Sequence, residues 1–103
     1  MTQFDQVSVL RKANVFFDGQ CVSHTVICAD GSKKTLGLIF PSNLKFSIKA
    51  AEVMEITAGH CRVRMAGESA WIVYQAGQEF HVAADSNFDI ETDGLLEYVC
   101  HFV

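Results

Sequence analysis

The chain has 103 residues, a length at which one hydrophobic core is the common arrangement, so a two-domain organisation is disfavoured. Twelve Asp and Glu against eight Lys and Arg give a formal net charge of -4, and the scattered basic residues disfavour a nucleic-acid-binding surface. No apolar run approaches the roughly 18 residues that cross a bilayer, and the polar start lacks the pattern of an export signal. We therefore expect a cytoplasmic protein without a nucleic-acid or membrane partner.

The first residues are the least patterned part of the chain. Residues 1–13 form a less defined N-terminal segment, in which residues 9–13 fit either one helical turn or an edge strand. From there on, turn signals recur, most of them 8 to 12 residues apart, as expected of an all-β sandwich or barrel. The signals are Asp18-Gly19, Asp30-Gly31, Pro41-Ser42-Asn43, Ala58-Gly59, Ala66-Gly67, Ala76-Gly77, Asp85-Ser86-Asn87 and Asp93-Gly94.

Nine segments between these turns are rich in β-branched, aromatic and sulfur-containing residues, and each is predicted to form a short strand. They span residues 21–28, 35–40, 45–48, 53–57, 61–65, 71–74, 79–82, 87–90 and 95–103. We find no linker composition and no internal repeat, so the prediction is a single domain over residues 1–103.

The last predicted strand has two useful faces. Tyr98 and Cys100 share one face with Phe102, whereas Val99 and His101 lie on the other, because side chains alternate along a strand. Both faces carry groups to bury. We therefore expect a barrel wall whose outside is covered by a second copy of the chain, in a homodimer.

The four cysteines, Cys21, Cys28, Cys61 and Cys100, are widely spaced and form no Cys-x-x-Cys pair. Two disulfides would be possible in a secreted protein. Without an export signal, the better interpretation is that the four are buried, reduced and small hydrophobic residues.

Two stretches, residues 52–59 and 77–82, resemble the conserved motifs of the cupin superfamily, which implies a cupin-type β-barrel, that is, a double-stranded β-helix or jelly roll. Metal-binding cupins carry His-x-His, a Glu and a Gly in the first motif and a further His in the second. Glu52 and Gly59 keep the expected spacing, but Phe88 falls on the place of the second-motif histidine, and no histidine precedes Glu52 at the required distance.

One ligand position of four is too few to hold iron, manganese or nickel, which need several imidazole and carboxylate donors. The histidines do not compensate, because His24, His60, His81 and His101 include no pair at ligand spacing. The sequence therefore predicts no metal and no other cofactor.

A barrel without its metal would enclose an apolar, aromatic cavity with one acid. Phe46 and Met54 are expected to point inward by parity with Glu52, and Phe88 would complete a lining that suits a flat ring. The alternative is that these aromatic residues are plain core.

Cationic and hydrogen-bonding side chains are the other candidates. Arg62 and Arg64 share one strand face and Lys33 stands at a turn, so they are either solvated or converge on the barrel mouth to hold a phosphate or carboxylate. Tyr98 and His101, with His24 and His81, are candidates for proton transfer or hydrogen bonding, unless they are structural.

From residue 14 onward the chain resembles the pyrimidine/purine nucleoside phosphorylases, small cupin-fold proteins formerly catalogued as a domain of unknown function. The similarity is carried by residues 14–19, 23–26, 34–37, 52–56, 59–64, 71, 76–77, 80, 86–90 and 98–102. One departure is Ala83-Ala84, where Val-Pro-Ala is expected.

The resemblance implies a pentosyltransferase that uses inorganic phosphate as co-substrate to release the free base and ribose 1-phosphate from a broad range of nucleosides. With strand parity, it suggests three groups of site residues. The catalytic candidates are Glu52, Tyr98 and His101; the nucleoside-binding candidates are Phe46, Met54, Phe88 and His24; the phosphate-binding candidates are Arg62, Arg64 and Lys33. The competing hypothesis is a cupin module that binds a small ligand without turning it over.

Overall fold

Antiparallel strands make up the fold. In the computed structural model, which describes residues 2–103, eleven strands and one 3-10 turn are present. The strands are β1 (Ser8–Val9), β2 (Asn14–Phe16), β3 (Cys21–Ile27), β4 (Lys33–Ile39), β5 (Ser42–Ile48), β6 (Glu52–Ala58), β7 (His60–Met65), β8 (Ile72–Gln75), β9 (Glu79–Val82), β10 (Ser86–Thr92) and β11 (Leu96–Phe102); the turn is Phe17–Gly19. No helix in this part of the chain is long and apolar enough to span a bilayer.

All nine strands predicted from the sequence are present, and their ends differ from the predicted ones by three residues at most. The two additional strands lie in the N-terminal part. Of the two possibilities for that part, an edge strand is found, because Ser8 and Val9 pair with Ile27 and Val26 of β3.

The strands form two sheets that share no strand. The larger sheet has the order β1-β3-β4-β11-β6-β9, with β2 also paired to β3, and the smaller has the order β5-β10-β7-β8. The predicted cupin-type β-barrel is therefore confirmed as an all-β fold with one core, but it is not closed within residues 2–103. Within residues 2–103, the edge strands of one sheet do not pair with those of the other, so the fold is two facing sheets around one core.

The core lies between the sheets and is filled from both. Ile39, Ile56 and Leu96 of the larger sheet are completely buried, and Val63 and Ile90 of the smaller sheet are nearly so. Each buried side chain of this size stabilises the fold by about 1.5–3 kcal/mol relative to an exposed one. This packing fills one end of the space between the sheets and leaves the other end open.

The larger sheet reverses its polarity toward the open end. On β3, the small polar side chains of Ser23 and Thr25 face inward, whereas Val22 and Val26 lie on the outer face. Inward polar groups need partners or ligands, because an unpaired buried hydroxyl is unfavourable. The inward hydroxyl groups therefore make the open end a candidate ligand site.

A tight turn joins β6 to β7 at Gly59, where the backbone φ is +84°. A Cβ at this position would lie 2.5 Å from the carbonyl oxygen of Leu95, closer than atoms approach in proteins. Glycine is therefore required here both by the left-handed backbone and by the neighbouring chain. The turn carries the chain from the larger sheet to the smaller one.

Candidate functional site

A cavity of about 460 Å³ occupies the open end between the two sheets. This volume lies within the range of small-molecule sites. The lining residues come from β2 to β6, β10 and β11 and from the chain before β2: Leu10, Asn14, Phe16, Ser23, Thr25, Lys33, Thr35, Phe46, Ser47, Ile48, Glu52, Met54, Phe88, Tyr98, Cys100 and Phe102.

Aromatic rings form the wall that belongs to the smaller sheet. Phe46 and Phe88 are paired across β5 and β10, and their rings stack with centroids 5.5 Å apart and an interplanar angle of 18°. Phe17 and Phe16 meet the ring of Phe46 edge-on, at 5.1 and 6.5 Å. Phe80 meets Phe88 in the same way at 5.6 Å. The wall is thus held by ring contacts on several sides, with Phe88 1% exposed and Phe46 half-buried.

The opposite wall is polar and begins with Asn14. Its amide Nδ2 donates hydrogen bonds to Ser23 Oγ at 3.2 Å and to Thr25 Oγ1 at 3.1 Å. The chain before β3 therefore contributes side chains to this cavity. The only signal in the sequence was the run that begins at Asn14 and carries part of the family resemblance.

Glu52 supplies the acid that the sequence predicted. It is 8% exposed, and burial raises the pKa of its carboxyl, an effect that a hydrogen bond with the Cys100 thiol partly offsets. Burial and the neighbouring carboxylate together raise the pKa of Cys100 to about 12. The pair places a carboxyl and a neutral thiol next to each other in the cavity wall. Cys100, predicted from the sequence only as a core residue, therefore also lines the cavity.

Tyr98 lies on the floor of the cavity. Its hydroxyl is 3.4 Å from Cys21 Sγ, and burial raises the pKa of the phenol well above its usual value. The phenol therefore stays neutral and can donate a hydrogen bond. The ring lies against the backbone of Gly37, its direct partner on β4.

The cavity contains one further charged group, Lys33. It is the first residue of β4 and lies on the same inward row as Thr35. Among the lining residues described by the structure, Lys33 is the only cation and Glu52 the only carboxylate. Six of the ten predicted site residues thus line one cavity: Glu52, Tyr98, Phe46, Met54, Phe88 and Lys33.

The structure places the two predicted histidines elsewhere. His24 and His101 lie on the outer face of the larger sheet, because they alternate with the inward residues of β3 and β11. His24 Nδ1 is 3.3 Å from the carbonyl oxygen of Leu10. His101 accepts a hydrogen bond from Lys34 Nζ at 2.9 Å and donates one to Glu55 at 2.9 Å. Neither side chain reaches the cavity.

The arginine pair also lies outside the cavity, on the outer face of the smaller sheet, so the expected convergence on the mouth is corrected. Arg62 bonds to Glu91 with an N–O distance of 2.9 Å, and Arg64 bonds to Asp89 at 3.1 Å. Both guanidinium groups stack on Trp71, with the Cζ atoms 4.4 and 4.7 Å from the ring centroid. They face outward because the alternate residues of β7 fill the core.

A second concavity of about 870 Å³ lies on the outer face of the larger sheet. The N-terminal residues Thr2 to Phe4 form one side of it, and Leu36 and Val99 lie on its floor. It contains His24 and His101 and is separated from the first cavity by the thickness of the sheet.

No group of three His, Cys, Asp or Glu side chains within residues 2–103 is arranged to hold a metal ion. All four cysteines carry free thiols. Burial raises the pKa of Cys61 to about 11 and raises that of Cys21 as well.

Comparison with known proteins places the chain in a family. The family model described as pyrimidine/purine nucleoside phosphorylase matches residues 11–102. A protein of that name from Janthinobacterium sp. (strain Marseille) is 64% identical over 102 residues, which cover 99% of this chain and 98% of the relative. A crystal structure of a protein of unknown function from Acinetobacter sp. ADP1 is 50% identical, covers 98% of both chains and superposes with a TM-score of 0.96.

A more distant neighbour agrees in fold alone. The Clostridium difficile EutQ protein is 9% identical, with a TM-score of 0.65 over 82% of this chain and 71% of that one. The family match and the whole-length identity agree with the resemblance found in the sequence. The chain therefore belongs to the pyrimidine/purine nucleoside phosphorylase family.

Proposed function

We propose that this chain is a nucleoside phosphorylase that accepts both purine and pyrimidine nucleosides. A phosphate oxygen forms a bond to C1′ of the ribose, the N-glycosidic bond breaks, and its electron pair leaves with the base, which takes up a proton. The products are the free base and ribose 1-phosphate. The observation that carries the proposal is the cavity that sets Glu52, Tyr98 and Lys33 opposite the Phe46–Phe88 stack in a member of this family.

The aromatic wall would hold the base. Phe46 and Phe88 present a flat, apolar surface, and Met54 adds an adaptable side chain beside it. Stacking depends on the face of a ring and not on its edge, so it does not distinguish bases strongly. A base pocket built this way supports broad specificity.

The polar wall would hold the ribose and the leaving base. Glu52 would bind ribose hydroxyls, and, when ionised, would favour the positive charge that develops at C1′. The neutral phenol of Tyr98 would donate a hydrogen bond to the base or to phosphate. Both groups act in a partly desolvated space, where electrostatic interactions are stronger than in water.

Lys33 is the best-placed cation for phosphate. It lines the cavity, whereas Arg62 and Arg64 are bonded to Glu91 and Asp89 on the far side of the smaller sheet. A hydrogen bond to a charged group contributes about 1.5–3 kcal/mol, which corresponds to a factor of about 10 to 150 in affinity.

The test compares Lys33→Met with Arg62→Met, two changes that each remove one positive charge. Free base is measured from uridine and adenosine over a range of phosphate concentrations. We expect Lys33→Met to raise the phosphate concentration for half-maximal rate about tenfold or more, with Arg62→Met close to the wild type. The reverse result would place phosphate at the arginine pair.

The same assay separates the enzyme from a binding module. Release of base that requires phosphate supports the phosphorylase, whereas nucleoside binding without release in the wild-type protein would favour the non-enzymatic module. We also propose that no metal takes part, since Phe88 occupies the place of a cupin ligand. Activity that disappears with EDTA and returns with added metal would contradict this.

We propose that the protein is a homodimer that buries the outer face of the larger sheet. That face carries apolar side chains around the second concavity, and Leu36 is 40% exposed there. Leu36→Glu should lower the mass measured by light scattering from dimer to monomer. Val73→Glu, on the outer face of the other sheet and 66% exposed, is the matched control. A monomeric wild-type protein would contradict the proposal.

The cysteines support a cytoplasmic location, which we likewise propose. All four thiols are free, and three of them are buried. Disulfides persist in oxidising compartments and are rare in the cytosol. Fractionation of cells that carry a tagged copy would test the location.

A further inference from the structure

Gly37 lies in the middle of β4, directly opposite Tyr98 on β11 and Ser23 on β3. Side chains at these three positions point to the same, inward face of the sheet, because directly paired residues share a face. The neighbouring inward positions on β4 are filled by Thr35 and Ile39. Position 37 is thus a gap in an otherwise continuous row.

The ring of Tyr98 occupies this gap. A Cβ built on Gly37 would overlap the Cζ and Oη atoms of the ring and would lie 2.5 Å from Cε1. The hydroxyl reaches past β4 to Cys21 on β3, where Oη and Sγ are 3.4 Å apart. The ring therefore lies across the sheet rather than standing up from it.

The space above the ring belongs to the cavity. Tyr98 lines its floor, and Phe46 and Phe88 form the facing wall. A side chain at position 37 would take the place of the ring, and the ring would have to rotate toward that wall because the sheet blocks the other direction. The distance between floor and wall would then be shorter.

We propose that Gly37 is a specificity-determining residue, whose missing side chain keeps Tyr98 flat and leaves room for a purine as well as a pyrimidine base. The inference rests on the proposed phosphorylase function and deepens it. Gly37 touches no substrate itself; it acts by positioning Tyr98.

A purely structural role for this pair is the competing explanation, since an aromatic ring that covers a strand glycine also stabilises a sheet. The two explanations differ in what they change. A structural role predicts lower stability and an equal loss for every substrate. The positioning role predicts a loss that grows with the size of the base.

The experiment measures kcat/KM for adenosine and uridine in Gly37→Ala. The matched control is Gly94→Ala, because a Cβ there meets nothing within 4 Å and the backbone is not left-handed. One methylene group more or less in an apolar pocket changes the discrimination between two substrates about 10- to 200-fold. We expect the adenosine-to-uridine ratio to fall at least about tenfold in Gly37→Ala and to stay unchanged in the control. An unchanged ratio in a folded Gly37→Ala protein overturns the proposal.

A second variant keeps the test decisive if Gly37→Ala does not fold. Tyr98→Leu removes the ring and deepens the floor of the cavity, so the adenosine-to-uridine ratio of kcat/KM should rise. A loss of kcat/KM from the missing hydroxyl that is common to both substrates leaves this ratio unchanged. A shift toward uridine would overturn the proposal. If the wild-type protein releases no base at all, the proposed function fails, and the ring position is then decided by a crystal structure of Gly37→Ala. A ring still lying over position 37 would refute the inference.

Discussion

Phe46 links three parts of the molecule, and its removal gives a prediction whose size follows from the ring contacts. The ring stacks on Phe88 at 5.5 Å and meets Phe17 and Phe16 edge-on. Each aromatic pair contributes about 0.5–1.5 kcal/mol beyond the area that it buries, so the three together are worth roughly 1.5–4.5 kcal/mol. The ring is only half-buried, so the hydrophobic term adds part of its full value. We expect Phe46→Ala to lower the free energy of unfolding by about 3–5 kcal/mol.

The measurement is urea unfolding, followed by far-UV circular dichroism, with Phe46→Leu as the control that keeps most of the volume. For a domain of this size, a loss of 3–5 kcal/mol corresponds to a fall in Tm of roughly 12–30 °C. Phe46→Leu should lose less than half as much, because it keeps apolar contact but not the ring geometry. A loss below about 1 kcal/mol in Phe46→Ala, with the m-value unchanged, would refute the view that this ring holds β2 and its turn against the smaller sheet.

Three further results are expected. Burial raises the pKa of Glu52, so the folded chain keeps the carboxyl proton to higher pH than the unfolded chain. The protonated carboxyl therefore contributes its full stability below the pKa of the unfolded chain. This contribution is lost as the pH rises through the pKa of the folded chain. In Glu52→Gln the urea unfolding midpoint should therefore fall less between about pH 4 and pH 8 than in the wild type. The same pH dependence in both proteins would contradict this expectation. Gly59→Ala should cost about 1–3 kcal/mol by the same measurement, with Gly94→Ala near zero, since only the first has a left-handed backbone and a blocked Cβ; equal losses would count against the turn geometry. Cys61 and Cys100, with pKa values raised to about 11 and 12, should react slowly with iodoacetamide at about pH 8 and quickly in urea, so rapid labelling of the native protein would argue against their burial.

Strand alternation explains much of what the sequence could predict. The two-residue period placed Met54 with Glu52, and Cys100 with Tyr98, on the inward rows where the structure has them. The turn signals located nine strands, because turn glycines such as Gly31 and Gly77 interrupt the runs of β-forming residues. These features are local, and local pattern is what a single sequence contains.

Arg62, Arg64 and His24 were predicted to lie in the site but lie on the outer faces of the sheets, for two different reasons. Arg62 and Arg64 alternate with Cys61 and Val63, so the apolar residues already indicated which face of β7 points inward. The prediction that the arginines bind phosphate did not follow that alternation. His24 is a different case. At the cavity end of β3 the inward residues are the polar Ser23 and Thr25, and His24 lies outward between two valines, so the usual assumption that apolar side chains point inward fails there.

Sheet closure and the N-terminal contribution were beyond the sequence pattern. Whether the edges of two sheets meet depends on twist and on long-range register, which no local period records. Asn14 enters the site only because β2 folds back on β3 and sets its amide beside Ser23 and Thr25. Asn14 is nine positions from Ser23 and eleven positions from Thr25 along the chain, and the composition of the sequence does not indicate that they are in contact.

The cavity walls come from strands that are distant along the chain, and this has a kinetic consequence. β11 pairs with both β4 and β6, and β10 pairs with β5, so the floor cannot form until the last strand has joined the sheet. Such non-local pairing is typical of β proteins that fold in milliseconds to seconds. A growing chain on the ribosome therefore has no complete cavity until β11 has emerged. The proposed nucleoside ligand would stabilise only a chain in which β11 has joined the sheet, not an intermediate that lacks it.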